Sequence, residues 1–541
     1  MKPSRTIAYF SAEYSVADSL PIYAGGLGIL AGDTVQEAGA QGRSFHAFGL
    51  VYHEAFTAGD TDNRPIMGRL SADGFEIVRN DANQPLILEI PVSGEMVKVR
   101  AWRKYYQTAC LTLLDTRLED NSPGAQKITN HLYDSLPGVM LQQQVVLGLG
   151  AIALMENLGI EPDIYHLNEG HMAFVGLAVA LRHQRLHPEL SLTEAIAAVK
   201  PKLVATKHTI LAGAGLMLEH NELEAALGPV LAAAKGSAYD LMTLGGRHDG
   251  RFSTTKFLLA LTHRANGVSA IHVRSEAEAH PNSPLITITN GVFVSRWRAA
   301  SLDGTPLEFD DHNLWQMHRE NRGLLLDYVK AETGKRFHPD HLTVVWARRM
   351  TAYKRPELLV SDLDRLIALA HHSTRPIQFV VAGQANLADS AGLALMNQVI
   401  AASRRPELAD SFAYLPHYNP MTARLLVQGG DLWLNTPIRG QEACGTSGMK
   451  ASLNGALQLS TSDGWIDEIE IEPLGWELPV DEPGPALYHI LEHEVAPLFY
   501  NQSAGLPQGW IKKMRAAIDL TEHQFTATRM LNEYYDRLYQ G

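Results

Sequence analysis

Cysteine is nearly absent: Cys110 and Cys444 are the 2 in 541 residues, and they lie far apart in the chain. That excludes a disulfide framework and a cysteine-based metal site, and it fits a reduced cytoplasm. Positive charge is in deficit too. With 46 Lys and Arg against 59 Asp and Glu, the net charge of -13 opposes a nucleic-acid footprint, because polyanions are held by cations that neutralise phosphates. An anionic substrate would need a local basic pocket. No apolar run approaches the length of a membrane span, and the start, Met1-Lys2-Pro3-Ser4-Arg5, leads into a short apolar stretch broken by Ser11 and Glu13. Neither secretion nor membrane insertion is expected. Low-complexity tracts, charge blocks and internal repeats are lacking as well.

What is present is a chain that is 45% hydrophobic and longer than one core usually supports, so two domains are expected. Short β-rich runs (Leu203-Val204-Ala205-Thr206, Leu285-Ile286-Thr287-Ile288, Leu342-Thr343-Val344-Val345-Trp346, Phe379-Val380-Val381-Ala382-Gly383) alternate with helical patterns. Such alternation is the mark of α/β sheets. Leu359, Leu363, Leu366 and Ile367 recur at helical spacing after Pro356, which predicts a helix starting there. The turn Thr289-Asn290-Gly291 offers the best boundary, dividing 1–290 from 291–541. The helical stretch Ile518 to Leu538 packs on either domain as far as the sequence decides.

The most informative segment runs Arg439-Gly440-Gln441-Glu442-Ala443-Cys444-Gly445-Thr446-Ser447-Gly448-Met449-Lys450, after Asp431-Leu432-Trp433-Leu434-Asn435-Thr436-Pro437. It reads as strand, glycine loop and helix. Glycine amides can approach an anion closely, Thr446 and Ser447 supply hydroxyls, and the helix start favours negative charge. Lys450 on the first turn would meet an aldehyde whose phosphate the loop holds, as a Schiff base. Taken alone, the segment serves equally as a helix cap with a solvated lysine. A second cationic segment is Arg348-Arg349-Met350-Thr351-Ala352-Tyr353-Lys354-Arg355, where Arg349 can grip phosphate with paired donors and Lys354 adds a point charge. Alone, it is as readily a solvated basic stretch.

Together these segments resemble the glycogen/starch phosphorylase family. Its Glu-Ala-Ser-Gly-Thr-x-x-Met-Lys segment matches Glu442 to Lys450, with Cys444 in place of Ser, and its basic-Arg-x-x-x-Tyr-Lys-Arg segment matches Arg348 to Arg355. Asn454-Gly455-Ala456-Leu457 and Asp463-Gly464-Trp465 extend the likeness. So do Phe10-Ser11-Ala12-Glu13-Tyr14, the loop Ser19 to Asp33 with Gly25 and Gly26, His166-Leu167-Asn168-Glu169-Gly170-His171, and Thr206-Lys207-His208-Thr209.

The resemblance implies two Rossmann-like domains facing a central cleft, the GT-B glycosyltransferase arrangement, and pyridoxal 5'-phosphate on Lys450. It places Gly445, Thr446, Ser447 and Arg348 at the cofactor, Arg348 standing where the family has lysine. Arg349, Lys354, His208 and Glu442 become the catalytic set, and Gly25, Gly26, Asn290, Tyr353 and Cys444 become substrate contacts. His166 and His171 are read as polar packing, since metal-binding helices space histidines at three or four. The implied reaction is phosphorolysis of an α-1,4-glucan or maltooligosaccharide to glucose 1-phosphate with retention. Phosphates, and no pair of carboxylates, handle the proton. A homodimer is the family expectation; nucleotide control and phosphorylation are not implied, because the chain is shorter than the animal and plant enzymes.

Two rivals remain. A nucleotide-sugar glucan synthase shares the glycine loop and a Glu-x-Cys-Gly segment, but synthases carry lysine where Tyr23 stands and lack the Met449-Lys450 context. An inactive glycan-binding homologue is raised by Gln384, where the family usually has lysine; retention of Lys450, Arg349, Lys354, His208 and Glu442 argues against it.

Overall fold

A computed structural model describes residues 5–54, 64–210, 215–247, 249–280, 283–302, 304, 306–386 and 389–540. The chain divides into two compact units: residues 1–268, 276–288 and 531–541, and residues 269–275 with 289–530.

The first unit is built on a 10-stranded sheet. Its strands are β1 (Ile7–Phe10), β2 (Phe45–Leu50), β3 (Glu76–Ile77), β4 (Ile87–Val92), β5 (Glu95–Tyr106), β6 (Ala109–Asp115), β7 (Ile164–Asn168), β8 (Leu203–Lys207), β9 (Arg264–Gly267) and β10 (Leu285–Thr287). The order is β10-β9-β8-β7-β1-β2-β6-β5-β3, with β4 on β5. From β10 to β6 the pairs are parallel; β5 pairs antiparallel with β6, β4 and β3. β1, β7 and β8 are buried at every position, as strands covered on both faces are, and β1 accordingly reads as an unbroken apolar run rather than an alternating one. Strand order reverses between β1 and β7, and in doubly wound sheets ligands sit outside the strand C-termini at such a reversal.

Helix α1 (Gly26–Ala40) follows β1, and α2 (Pro137–Leu158) precedes β7. Here one sequence expectation is corrected: α2 is long and apolar enough to cross a membrane by length and composition. It is apolar because 67% of its most hydrophobic window is buried inside the unit, against β2, β4, β6 and the helix Ala173–Leu186.

The C-terminal stretch is shared, residues to 530 belonging to the second unit and those from 531 to the first. Tyr539 makes the first unit's link with β7: its hydroxyl lies 2.8 Å from His166 Nδ1. His166 Nε2 is 2.7 Å from the Thr206 hydroxyl, which itself donates to Asn266 Oδ1 at 2.6 Å. The chain of donors therefore runs from Tyr539 into Nδ1 and from Nε2–H into Thr206. Burial holds His166 down at about 3, neutral as this arrangement needs.

The second unit carries β11 (Leu342–Ala347), β12 (Ile377–Ala382), β13 (Phe412–Leu415), β14 (Leu432–Asn435), β15 (Leu457–Thr461) and β16 (Gly475–Leu478). All pairs are parallel in the order β13-β12-β11-β14-β15-β16, which is 3-2-1-4-5-6 counted from β11. The reversal lies between β11 and β14. The helix expected from Pro356 is split into a 3-10 turn, Pro356–Val360, and α4 (Leu363–Ala370); the long α3 (Asp311–Thr333) comes earlier in the chain. Asp362 is the reason: its side chain accepts Arg365 N–H at 3.0 Å, starting a helix of its own.

Under the β11/β14 reversal, Asp431 is fully buried and accepts from Arg322 Nη1 at 2.8 and 3.0 Å, from Thr343 N–H at 2.8 Å, and faces His318 Nε2 at 2.8 Å. Burial pushes its carboxyl up, and Arg322 with His318 outweighs that, leaving it below the usual range. Asp431→Ala strands Arg322 in the core, and denaturant melts should show about 3–5 kcal/mol lost. A midpoint unchanged from wild type would show the cluster to be dispensable.

Candidate functional site

In the second unit, the loops leaving β11 and β14 lie side by side and are laced together. Thr436 Oγ1 donates to Lys354 O at 2.7 Å and accepts from Trp346 Nε1 at 3.1 Å, Ile438 N–H donates to Tyr353 O at 2.7 Å, and Arg355 Nε donates to Thr436 O at 2.8 Å. This brings three buried charges together. Glu442 Oε2 lies 2.8 Å from Arg348 Nη2 and 3.0 Å from Lys354 Nζ. Burial pushes Glu442 up, but the two cations outweigh it and hold the carboxyl at about 2. Burial, then the charge of Arg348, brings Lys354 down to about 8 despite Glu442. Arg348 Nη1 is buried and makes no hydrogen bond among the described residues, so a further acceptor belongs there.

Arg349 is exposed at the start of the same loop and hydrogen-bonds Tyr353. Burial and Glu442 push the Tyr353 hydroxyl up to about 12. Lys354 Nζ stands 5.0 Å from the Tyr353 ring centre.

Gly445 opens α5 (Thr446–Ser452) with a φ of 79°, which a side chain would strain, and a Cβ there would lie 3.4 Å from Arg348 Nη2. Thr446 and Ser447 form the first turn, and Lys450 lies on the second, not the first as expected. Its Nζ still reaches back to 3.5 Å from Thr446 Oγ1, because side chains tilt toward the helix N-terminus and residues i and i+4 stack. At 7 residues the helix is short, so Arg348 is the principal local attraction for an anion. Lys450 Nζ also sits 4.1 Å from the ring centre of Trp297. Asn454 fixes that pairing: Nδ2 donates to Lys450 O at 2.8 Å and to Trp297 O at 2.9 Å. Cys444 is buried with its thiol pushed up by burial, and contributes packing and backbone rather than a nucleophile. Asn290 is 5% exposed, with Oδ1 making no hydrogen bond among the described residues.

An aldehyde that carries a phosphate needs an amine screened from bulk water, a flat apolar wall and a cation with spare donors. Lys450, 5% exposed, Trp297 and Arg348 Nη1 meet those needs, and no buried carboxylate other than Glu442 is paired with Arg348 among the described residues. Trp297 and Tyr418 were not singled out from sequence. Tyr418, pushed up to about 12 by burial and moderated by Arg348, comes from the loop after β13. Only the sheet order makes these chain-distant residues neighbours of Lys450 and Arg348.

In the first unit, the corresponding reversal gathers Glu13 after β1, Glu169 after β7 and His208 after β8. Glu13 accepts from Ala24 N–H at 2.5 Å, Gly25 N–H at 3.0 Å and Tyr133 hydroxyl at 2.8 Å. Gly25 thus gives its amide to the protein's own carboxylate, while Gly26 begins α1; a Cβ at either glycine meets nothing within 4 Å. His208 is held at both ends: its N–H donates to Glu169 Oε2 at 2.8 Å, and its Nε2 lies 3.0 Å from Asn168 Oδ1. Asn168 Nδ2 donates to Phe10 O, so Oδ1 is the acceptor and Nε2 of His208 carries the hydrogen. Glu169 has a φ of 68°, a strained conformation for a side-chain-bearing residue, and burial pushes its carboxyl up. His171 is half-buried, and no group of His, Cys, Asp or Glu suited to a metal ion exists among the described residues.

A family profile described as carbohydrate phosphorylase matches residues 308–475. Curated relatives align over nearly the whole chain. The glycogen phosphorylase of Mycobacterium tuberculosis is 32% identical over 98% of this chain and 70% of its own length. That of Aquifex aeolicus is 30% identical, covering 99% and 86%, and the maltodextrin phosphorylase of Thermococcus litoralis is 30% identical, covering 98% and 70%.

Proposed function

The chain belongs to the carbohydrate phosphorylase family, and from that premise we infer that it is an α-glucan phosphorylase, a glycosyltransferase that cleaves α-1,4-glucan or maltodextrin with inorganic phosphate to give glucose 1-phosphate. The observation that carries this reading to the residues is the buried triad of Arg348, Glu442 and Lys354, whose Glu442 stands on the loop that leads into the helix of Lys450. Two units whose sheets each carry a strand-order reversal support the family's two Rossmann-like domains, and two buried thiols fit a cytoplasmic enzyme.

Lys450 would hold pyridoxal 5'-phosphate, which supplies a phosphate able to exchange a proton with the substrate's own. Trp297 walls the ring side, and Arg348, with Thr446, Ser447 and the Gly445 backbone, binds the cofactor phosphate. Arg349 and Lys354 bind substrate phosphate, and Tyr353 shields them. Glu442 accepts from sugar hydroxyls while neutralising the cations behind it, so that two phosphates can lie close without a net positive hole when they leave. Gly26, with Gly25 held on Glu13, forms the phosphate-facing turn of the first unit, and His208 and Asn290 contact the glucosyl ring. Cys444 shapes the loop beneath it. The ligands are glucan, phosphate and glucose 1-phosphate, with neither nucleic acid nor membrane involved, and the family expectation of a homodimer carries over.

Incubation with maltooligosaccharide and phosphate should yield α-glucose 1-phosphate without free glucose. Because Lys354 titrates at about 8, kcat/KM for phosphate should fall as pH rises through that value. Glucose release, or transfer from a nucleotide sugar with none from glucan, would overturn the reading.

A further inference from the structure

Glu442 sits in a segment with no strand partner. Among the described residues, what replaces that partner is the turn Asp463-Gly464-Trp465 after β15. Asp463 Oδ2 accepts from Gln441 N–H at 3.2 Å and Glu442 N–H at 3.0 Å, and its Oδ1 accepts from Gly464 N–H at 2.9 Å. Trp465 N–H donates to Cys444 O at 3.0 Å. Gly464 has a φ of 57°, and a Cβ there would lie 2.2 Å from Cys444 O, so the two segments are moulded on each other. Ser269 Oγ adds a bond to Ala443 O at 2.5 Å.

We propose that Asp463 is a positioning residue for the phosphorolytic reaction: it fixes the backbone of Glu442 so that one carboxylate spans Arg348 and Lys354. The inference rests on the activity proposed above. Asp463 is 1% exposed and, among the described residues, forms no ion pair with either cation, so its effect passes through Glu442. Its bonds at these distances all come from backbone N–H groups, which is why a carboxylate stands there. An asparagine can keep the two bonds to Gln441 and Glu442 only by turning its NH2 against Gly464 N–H, and alanine keeps none. A displacement of about 1 Å at a reacting group costs on the order of 10²-fold in rate.

The test is a double-mutant cycle on the full-length protein, read as glucose 1-phosphate formed from maltooligosaccharide and phosphate. Asp463→Asn should lower kcat/KM by about 10²-fold, mainly in kcat. In a Glu442→Gln background the same substitution should change little, because the group it positions is already gone. Losses that multiply in the double variant, or Asp463→Asn with wild-type kinetics, would overturn the proposal. If Asp463→Asn does not fold, Asp463→Ser, whose hydroxyl accepts one N–H, carries the same cycle. A wild-type enzyme that makes no glucose 1-phosphate fails the activity itself, which is a separate outcome.

Discussion

Lys450→Ala should lose cofactor and turnover together. Borohydride treatment of wild type, supplied with pyridoxal 5'-phosphate, should fix the cofactor to the peptide containing Lys450, and the variant should give no such adduct. Glucose 1-phosphate formation should fall by at least ~10³-fold, the scale on which removing a preorganised group registers. The geometry makes this a clean experiment. Lys450 is buried against Trp297, and its main-chain carbonyl, which survives the substitution, still receives the Asn454 bond. The helix therefore keeps its anchor, and the thermal midpoint without cofactor should move little. An alanine variant that retains both bound cofactor and activity would remove Lys450 from the site.

Glu442→Gln has nearly as large an effect for a different reason. Its carboxylate is held at about 2 by Arg348 and Lys354, below an ordinary glutamate, so its stabilising contribution is complete above the unfolded value and is lost as pH falls through about 2. At neutral pH the charge is fully in use. Glutamine leaves two buried cations facing each other, and Lys354, already brought down to about 8, yields its proton more readily still. The alkaline fall in kcat/KM should therefore move to lower pH, alongside a loss of ~10²–10³-fold. A variant with an unmoved alkaline limb would mean that Lys354 does not set it. Arg349→Ala, by contrast, should keep the cofactor and raise KM for phosphate, since Arg349 is exposed and outside the triad.

The alternation of apolar runs with helical spacing was enough to place β8, β10, β11 and β12, because parallel strands carry short runs rich in Val, Leu and Ile. It could not show that β14 lies beside β11, and that adjacency is what sets Glu442 against Arg348 and Lys354. Motif spacing located Lys450 but set it one turn early, since the helix start is fixed by the φ of Gly445 and not by any residue pattern. The break at Asp362 was hidden because a capping aspartate in an apolar repeat looks like one polar position of a longer helix. The apolar length of α2 was misjudged for a related reason: scattered Gln and Gly residues interrupt the run to the eye while leaving it buried. Trp297 and Tyr418 had no signal of their own, and Asp463-Gly464-Trp465 stood out only as a matching motif, because each acts across a tertiary contact that the sequence does not show.

The return of residues 531–541 to the first unit has a consequence for biosynthesis. Tyr539, whose hydroxyl completes the buried His166 network under β7, leaves the ribosome after the entire second unit has been made. At roughly 5–20 residues per second, the first unit waits on the order of tens of seconds with that histidine unsatisfied. The amino-terminal half is thus an early-made, late-finished body, exposed to chaperones during that interval, and a stop codon placed just before residue 531 would be felt first in that half.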